Sequence, residues 1–320
     1  MFRNIMVPLD GSEFAEAIIP LATGIAGRTG ATVHVVAVHR GLDAERAGDM
    51  SAVFAREIEE RTLTQEKSYL AGIAAKAKAH GAVMIEHLLE GPLVPMLQRY
   101  VKANGIDVVM MTTHGRGGFQ RAWLGSVTDA LVRSLPVPVL AYHAGANVQS
   151  GMTDMRIRHV VAATDGSSIG DNAFRAALNL CAVLDAECTL VRAIAPVLPA
   201  YPTFVGETIP YAGDTPAVEP PMLSMVDYDA IARAANVRLT TRVLVDARPA
   251  DVILRTTEEE GADLIVVGTH GRNPMARWLL GSVADKVIRG AHVPVMVCPA
   301  DATFSVPAPV ATEEEVVEIC

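Results

Sequence analysis

The sequence predicts an α/β fold in two tandem domains, each a parallel sheet with helices on both faces. Three observations lead to this prediction. The chain has 320 residues, which at roughly 150 residues per domain corresponds to two domains. Its second half repeats the motifs of its first half. Within each half, short apolar runs alternate with longer segments of helical composition, the order typical of parallel strands joined by right-handed helical crossovers.

The repeat is found at the start and near the end of each half. The segment from Asn4 reads NIMVPLDGS, and its counterpart from His159 reads HVVAATDGS. A longer match follows: DVVMMTTHGRGGFQRAWLGS begins at Asp107 and DLIVVGTHGRNPMARWLLGS begins at Asp263. We therefore expect a first domain over residues 1–145, a second over 155–300 and an acidic C-terminal tail over 301–320.

Strands are predicted at short runs rich in valine, isoleucine and methionine. Continuous apolarity of this kind is typical of strands buried on both faces. The runs of the first half are Ile5–Leu9, Thr32–Val38, Val83–Leu89, Val108–Thr112 and Val139–Tyr142. Those of the second half are Val160–Thr164, Cys188–Ile194, Leu239–Val245, Leu264–Thr269 and Val295–Cys298.

The connection between the second and third strands differs between the two halves. A helix is predicted over Ala52–Ala79, where alanine and charged residues run up to the stop signal at Gly81. The second half has a proline-rich segment, 196–221, in place of the front of that helix.

The last strand of each half would be an exposed apolar edge, which proteins normally cover. We expect these two strands to pair with each other around a pseudo-twofold axis.

Composition excludes several classes of function. Lys+Arg 27 against Asp+Glu 36 gives a net charge of −9, and aromatic residues make up only 5%. Neither nonspecific duplex binding nor a stacking platform for single strands is expected. No apolar run approaches the roughly 18 residues of a membrane span, and no signal pattern opens the chain, so we expect a cytoplasmic protein. The four cysteines lack CxxC spacing, which disfavours a disulfide framework or zinc site.

The candidate binding residues lie where the first and fourth strands of each half end. Ligands of open parallel sheets bind outside the carboxyl ends of the strands, where the winding direction reverses. Gly268 and Gly271 follow the fourth strand of the second half, and after nine residues Gly281 and Ser282 open the last helix. Glycine lets backbone N–H groups approach a phosphate, and a helix N-terminus adds oriented donors. The serine hydroxyl can also donate.

Each of these residues has a structural alternative. Glycines at strand-to-helix turns are often required by the backbone alone. Asp10 and Asp165 suit capping of the next helix and binding of a sugar hydroxyl or metal equally well. His114 and His270 are better explained as partners of backbone groups than as catalytic residues, because no nucleophile or carboxylate lies at recognisable spacing. The arginine after each His-Gly pair either contacts phosphate or lies in solvent. We therefore assign no catalytic residue and no metal ligand.

The pattern resembles the universal stress protein family in its tandem form. That family's motif is G-x-x-G, nine residues, then G-[ST], which the second half satisfies completely. The resemblance covers Met1–Tyr142 and Arg156–Ala300. It implies two Rossmann-like domains of the adenine nucleotide alpha hydrolase-like type, each a five-stranded parallel sheet of order 3-2-1-4-5. It also implies a stress-response regulatory protein that binds ATP, AMP or ADP, with or without Mg²⁺.

The resemblance further implies the residues of two pockets. Those of the second pocket are Ala163, Asp165, Ile194, Val267, Gly268, His270, Gly271, Arg272, Gly281, Ser282 and Val283. Those of the first are Pro8, Asp10, Val38, Met111, Thr112, Gly115, Gly125, Ser126 and Val127. Asp165 and the backbone of Ile194 would lie by the ribose and adenine. Thr112 replaces the motif's first glycine, and its branched side chain would crowd the phosphates. We therefore expect the second pocket to bind more tightly.

Three functions stay open at this level. The first is a nucleotide-binding regulator with two pseudo-equivalent pockets, acting on an unidentified protein partner. The second is a slow metal-dependent ATP hydrolase, and the third is an interaction scaffold without nucleotide turnover. The regulator is favoured over the hydrolase because no positioned general base is identifiable. It is favoured over the scaffold because the glycine spacing fits a phosphate. A further homodimer is left open.

Overall fold

The computed structural model describes residues 2–41, 51–78, 83–113, 124–143, 156–194, 227–269, 280–302 and 304. Within them, the first half follows the order β1 (Asn4–Pro8), α1 (Glu13–Glu16), α2 (Ile19–Thr29), β2 (Thr32–His39), α3 (Ala52–Lys78), β3 (Met84–Glu90), α4 (Leu93–Ala103), β4 (Val108–Thr112), α5 (Ser126–Ser134) and β5 (Val139–Tyr142). The second half follows the order β6 (His159–Ala163), α6 (Ser168–Leu184), β7 (Glu187–Ile194), α7 (Tyr228–Ala234), β8 (Leu239–Val245), α8 (Pro249–Glu259), β9 (Leu264–Gly268), α9 (Ser282–Gly290) and β10 (Val295–Cys298).

All ten strands belong to one continuous sheet of order β3-β2-β1-β4-β5-β10-β9-β6-β7-β8. Each half therefore has the predicted order 3-2-1-4-5, with parallel pairing inside the half. The two halves join through β5 and β10, which pair antiparallel with Leu140 opposite Met296. The predicted pairing of the two apolar edge strands is confirmed.

Helices cover both faces of this sheet, and each face has its own apolar core. One core packs the sheet against α2, α3, α6 and α7, with Phe174 and Leu178 of α6 among its fully buried side chains. The other packs it against α4, α5, α8 and α9. A strand between two such layers is apolar on both faces, which explains why continuous apolar runs located the inner strands.

The outer strands β3 and β8 correct the expectation of burial on both faces. Every position in these two strands is partly buried or exposed, and Ile85 and Val243 are among the exposed large apolar residues. Each outer strand has a neighbour on one side only within the described sheet, so less of its surface is covered.

Several sequence predictions fall outside the described residues. These are the join between the predicted domains, the proline-rich segment and most of the C-terminal tail, at 144–155, 195–226 and 305–320. Cys181, Cys188 and Cys298 are described, and all three are buried free thiols. Burial raises the pKa of Cys298 to about 12. Among the described helices, none is both long and apolar enough to cross a membrane.

Candidate functional site

Each half carries the same turn after its first strand. Ser12 donates its backbone N–H and its hydroxyl to Oδ1 of Asp10, at 3.0 and 2.6 Å. Ser167 makes the same two bonds to Asp165, at 3.0 and 2.5 Å. Each serine also caps the following helix by accepting the N–H three residues later, at 3.2 Å. Serine is therefore the cap, and the idea that the aspartates cap these helices is corrected: they orient the capping serine.

The turn requires the glycine between the aspartate and the serine. Gly11 has φ +81° and Gly166 has φ +79°, the left-handed region in which a side chain is strained. The backbone conformation of the turn thus explains the glycine of the Asp-Gly-Ser repeat in both halves. It leaves one aspartate at the carboxyl end of each first strand, where Asp10 is exposed and Asp165 is partly buried.

The first and fourth strands of each half are neighbours, as the sequence predicted. Ile5 of β1 lies opposite Val108 of β4, and Val160 of β6 lies opposite Leu264 of β9. Because these pairs are parallel, their carboxyl ends meet at the same edge of the sheet. The Asp-Gly-Ser turn and the segment after the fourth strand therefore adjoin at the point where the winding direction reverses.

A backbone hydrogen bond closes the loop that follows each fourth strand. The N–H of Gly125 donates to the carbonyl of Thr113 at 2.8 Å, and the N–H of Gly281 donates to the carbonyl of Thr269 at 2.6 Å. A Cβ atom on Gly125 would lie 2.2 Å from that carbonyl oxygen, so only glycine fits. The loop residues themselves, His114, Gly115, Arg116, His270, Gly271 and Arg272, lie outside the described residues.

These glycines also cap the helices α5 and α9. A glycine cap has no side chain to accept the N–H groups of the first turn, and those groups therefore favour an anionic acceptor. Ser126 and Ser282, the first helical residues, are exposed and add a hydroxyl donor to each helix end.

The acidic residue in the first turn of each of these helices is held by an arginine. Arg133 donates to Asp129 and Arg289 donates to Asp285, each through Nε at 2.9 Å. The hydrogen bond to Asp129 is the main cause that raises the pKa of Arg133, and the charge of Asp285 in the other half contributes. The two ion pairs are thus close to each other across the junction of the halves. Pairing lowers the repulsion that these carboxylates would exert on an anion at the helix ends.

The position of the motif's first glycine differs between the halves. A Cβ atom on Gly268 would lie 2.7 Å from Cγ2 of Ile169, in the first turn of α6. Glycine at this position therefore has a packing reason in the second half. In the first half Thr112 is buried, and its carbonyl accepts a hydrogen bond from the Thr128 hydroxyl at 3.2 Å. That Thr112 crowds a phosphate stays a prediction.

The strand register corrects one correspondence between the two residue sets. Pro8 lies opposite Val36, and Ala163 lies opposite Val191. Two residues after Val36 comes Val38, and two residues after Val191 comes Ala193, so these two residues occupy matching positions. The two residue sets placed Ile194 at this position, which is one residue too far along the strand. The remaining described candidates lie around these strand ends: Met111 and Val267 are buried, and Val127 and Val283 are partly buried.

Two charged groups at this edge were missed by sequence reasoning. His39 is only 4% exposed, and its ring nitrogens bond Glu59 at 2.8 Å and Glu66 at 2.7 Å. Burial alone would lower its pKa, but these two carboxylates raise the pKa above its usual value. Arg192 of β7 is 7% exposed. In the sequence, the one feature that could have pointed to His39 and Arg192 is that each is a polar, ionisable residue near the end of an otherwise apolar strand.

The described residues contain no group of three or more histidine, cysteine or acidic side chains suited to a metal ion.

Comparisons with known proteins match this arrangement. The sequence model of the universal stress protein family matches residues 1–143 and again 156–299. A universal stress protein of Mycobacterium tuberculosis is 28% identical over 257 residues, covering 76% of this chain and 77% of the relative. One of Methanocaldococcus jannaschii is 34% identical over 145 residues, 44% of this chain and 81% of the relative.

A solved structure gives the same result for the fold. The crystal structure of a universal stress protein from Archaeoglobus fulgidus superposes with a TM-score of 0.64 at 20% identity, over 92% of this chain and 96% of that chain. At this identity the likeness concerns the fold alone.

Proposed function

Because the chain belongs to the universal stress protein family, we propose that it is a regulatory protein of stress responses that binds adenine nucleotides in two pseudo-equivalent pockets. One observation carries the proposal. In each half, an Asp-Gly-Ser turn adjoins a fourth strand whose loop closes on a glycine-capped helix N-terminus. An anion binds readily at such a helix end in an open parallel sheet.

The chemistry of the edge suits a nucleotide from both sides. On one side, the first-turn N–H groups and hydroxyls of α5 and α9 are donors for the phosphates. On the other side, Asp10 and Asp165 are acceptors for a ribose hydroxyl, which is a donor. Each aspartate is held in place by two hydrogen bonds from its serine, so little ordering remains to be done on binding.

The second pocket is the more complete of the two in this proposal. Asp165 is partly buried where Asp10 is exposed, and an interaction with a ligand strengthens as water is excluded. The second half also has the whole glycine motif, whereas the first has Thr112 at its first position. We therefore expect ATP to bind the second pocket first.

The proposal is tested by asking what the purified protein carries and binds. Denatured protein should release adenine nucleotide, identified by mass spectrometry, and nucleotide-free protein should bind ATP in a calorimetric titration. Ser282→Ala should weaken the tighter site by about 3–10-fold, the effect of losing one neutral hydrogen bond. Ser68→Ala removes an exposed hydroxyl from α3 instead and should change nothing. If ATP, ADP and AMP all fail to bind at millimolar concentration, the proposal is wrong.

A further inference from the structure

Arg192 is a buried cation with an unsatisfied donor. Only 7% of the residue is exposed, and Nη1 is fully buried with no hydrogen-bond partner among the described residues. Across the described residues, no carboxylate is within ion-pairing distance of its guanidinium. A buried charge left unpaired destabilises the folded protein. A protein keeps such a group only where something offsets this cost.

The guanidinium lies against the turn that opens α6. A Cβ atom on Gly166 would be 2.9 Å from Nη2 of Arg192, so the absence of a side chain on Gly166 is what admits the guanidinium. This turn leads into a helix of 17 residues, whose N-terminus carries partial positive charge. A cation and a helix N-terminus repel each other unless an anion lies between or beside them.

The acidic groups at the start of this helix have hydrogen-bond partners of their own. Oδ1 of Asp165 accepts both donors of Ser167. Asp171, in the first turn of α6, accepts the hydroxyl of Tyr228 at 2.6 Å. Among the described residues, this point thus offers donors, and an anionic ligand would supply the acceptor that Arg192 lacks there.

At the matching position, the first half has no cation. By the strand register, Arg192 corresponds to Ala37 of β2, because Val191 and Val36 occupy matching positions. The guanidinium is therefore an addition to the second half and not part of the frame that the two halves share.

Resting on the proposed function, we propose that Arg192 and the N-terminus of α6 form an anion subsite on the sugar side of the second pocket, which binds a phosphate group. This phosphate is separate from the one held by the N-terminus of α9. Its source is either the 2′ or 3′ position of the nucleotide's ribose or free inorganic phosphate. An arginine near the end of the second strand is how dinucleotide-binding sheets accommodate a ribose phosphate. Arginine also matches phosphate geometry through two parallel hydrogen bonds.

The test compares ligands that differ by one phosphate. Calorimetric titrations of the full chain would use AMP, adenosine 2′,5′-bisphosphate, adenosine 3′,5′-bisphosphate and inorganic phosphate. One of the bisphosphates should bind at least about tenfold more tightly than AMP, the effect of a charge-assisted contact. Arg192→Met should lose this preference and leave AMP binding within about twofold. Arg192→Lys should keep part of it. Arg255→Met, which removes a half-exposed arginine on α8, is the matched control and should keep all of it.

Two further measurements distinguish the two possible sources of the phosphate and test whether Arg192 has a purely structural role. If the source is free phosphate, inorganic phosphate alone should raise the Tm of the wild type and not that of Arg192→Met, with no preference for either bisphosphate. Without ligand, Arg192→Met should be at least as stable as wild type, because it removes an unpaired buried charge. A clear drop in its Tm would indicate a structural role and overturn the subsite.

Binding of AMP and ATP with no effect of any extra phosphate would also overturn the subsite and leave the proposed function standing. Failure of every adenine nucleotide to bind would overturn the proposed function, while the phosphate arm would still report on Arg192.

Discussion

The two halves share a backbone arrangement and differ in the side chains at the ends of their second strands. Strand order, the Asp-Gly-Ser turn and the glycine bond that closes the last loop are the same in both. At the end of the second strand, the first half has Ala37 and His39 where the second half has Arg192 and Ile194. The comparison indicates that the two halves keep the same backbone arrangement, whereas the side chains at the ends of their second strands differ.

The first helix shows the same divergence. In the second half α6 runs unbroken from Ser168 to Leu184, but in the first half α1 ends at Glu16 and α2 begins at Ile19. Pro20 explains the break, because proline lacks an N–H and its ring clashes with the carbonyl four residues earlier. A helix of four residues has a much smaller dipole than one of 17. The N-terminus beside Asp10 therefore attracts an anion less than the one beside Asp165.

The largest effect is expected from a substitution that disrupts the shared backbone arrangement in one half only. Gly125→Ala places a Cβ atom 2.2 Å from the Thr113 carbonyl, so the backbone must shift. We expect it to destabilise the protein by about 1–3 kcal/mol, the usual range for overpacking, and to remove the weaker nucleotide site while the tighter one stays. Urea unfolding and ATP titration measure the two effects.

The control for this change is Gly27→Ala in α2, where an added Cβ meets no atom within 4 Å. This variant should be neutral or more stable by about 0.5–1 kcal/mol. Equal stability of Gly125→Ala and wild type would show that the glycine bond is not part of a rigid frame.

The second effect concerns His39, which only the first half has. Its folded pKa is raised above the unfolded value of about 6.5. Protonated His39 therefore stabilises the fold below the unfolded pKa, and this contribution is lost as the pH rises through the folded pKa. His39→Gln should lower the free energy of unfolding by about 1–3 kcal/mol near pH 6, with a smaller difference near pH 9.

Denaturant unfolding across this pH range measures the difference. The double variant Glu59→Gln with Glu66→Gln keeps hydrogen-bond acceptors but removes both charges, so it should lose the same pH dependence. An unchanged gap between wild type and His39→Gln over the whole range would contradict the role of the charged histidine.

The smallest effect is expected at the junction of the two halves, where both halves have the same ion pair. Arg133 and Arg289 make equivalent ion pairs at the junction of the halves, and their side chains are 27% and 35% exposed. Partly exposed pairs of this kind contribute about 0.3–1 kcal/mol. Arg133→Gln and Arg289→Gln should each reduce stability by that amount, equally and less so at high salt. A several-fold difference between the two variants would show that the junction is not symmetric.

The sequence predicted the frame better than it predicted the site. Inner strands were located within one residue because burial on both faces makes their apolar runs continuous. The exposure of β3 and β8 was missed, since a strand's place at the edge depends on topology and not on local composition. The same limit applied to the site. The contact of Gly268 with Ile169 and the bonds of His39 to Glu59 and Glu66 join segments that only the fold brings together.

The unequal pockets are tested most directly by titrating ATP into two matched variants. Under the proposed function, Asp10→Ala should impair the first pocket and Asp165→Ala the second, and thermal unfolding verifies that each variant is folded. Asp10→Ala should keep the tighter site, and Asp165→Ala should keep only a site weaker by about tenfold or more, the difference of one charge-assisted contact. Equal dissociation constants in the two variants would contradict the claim that the second half holds the more complete pocket.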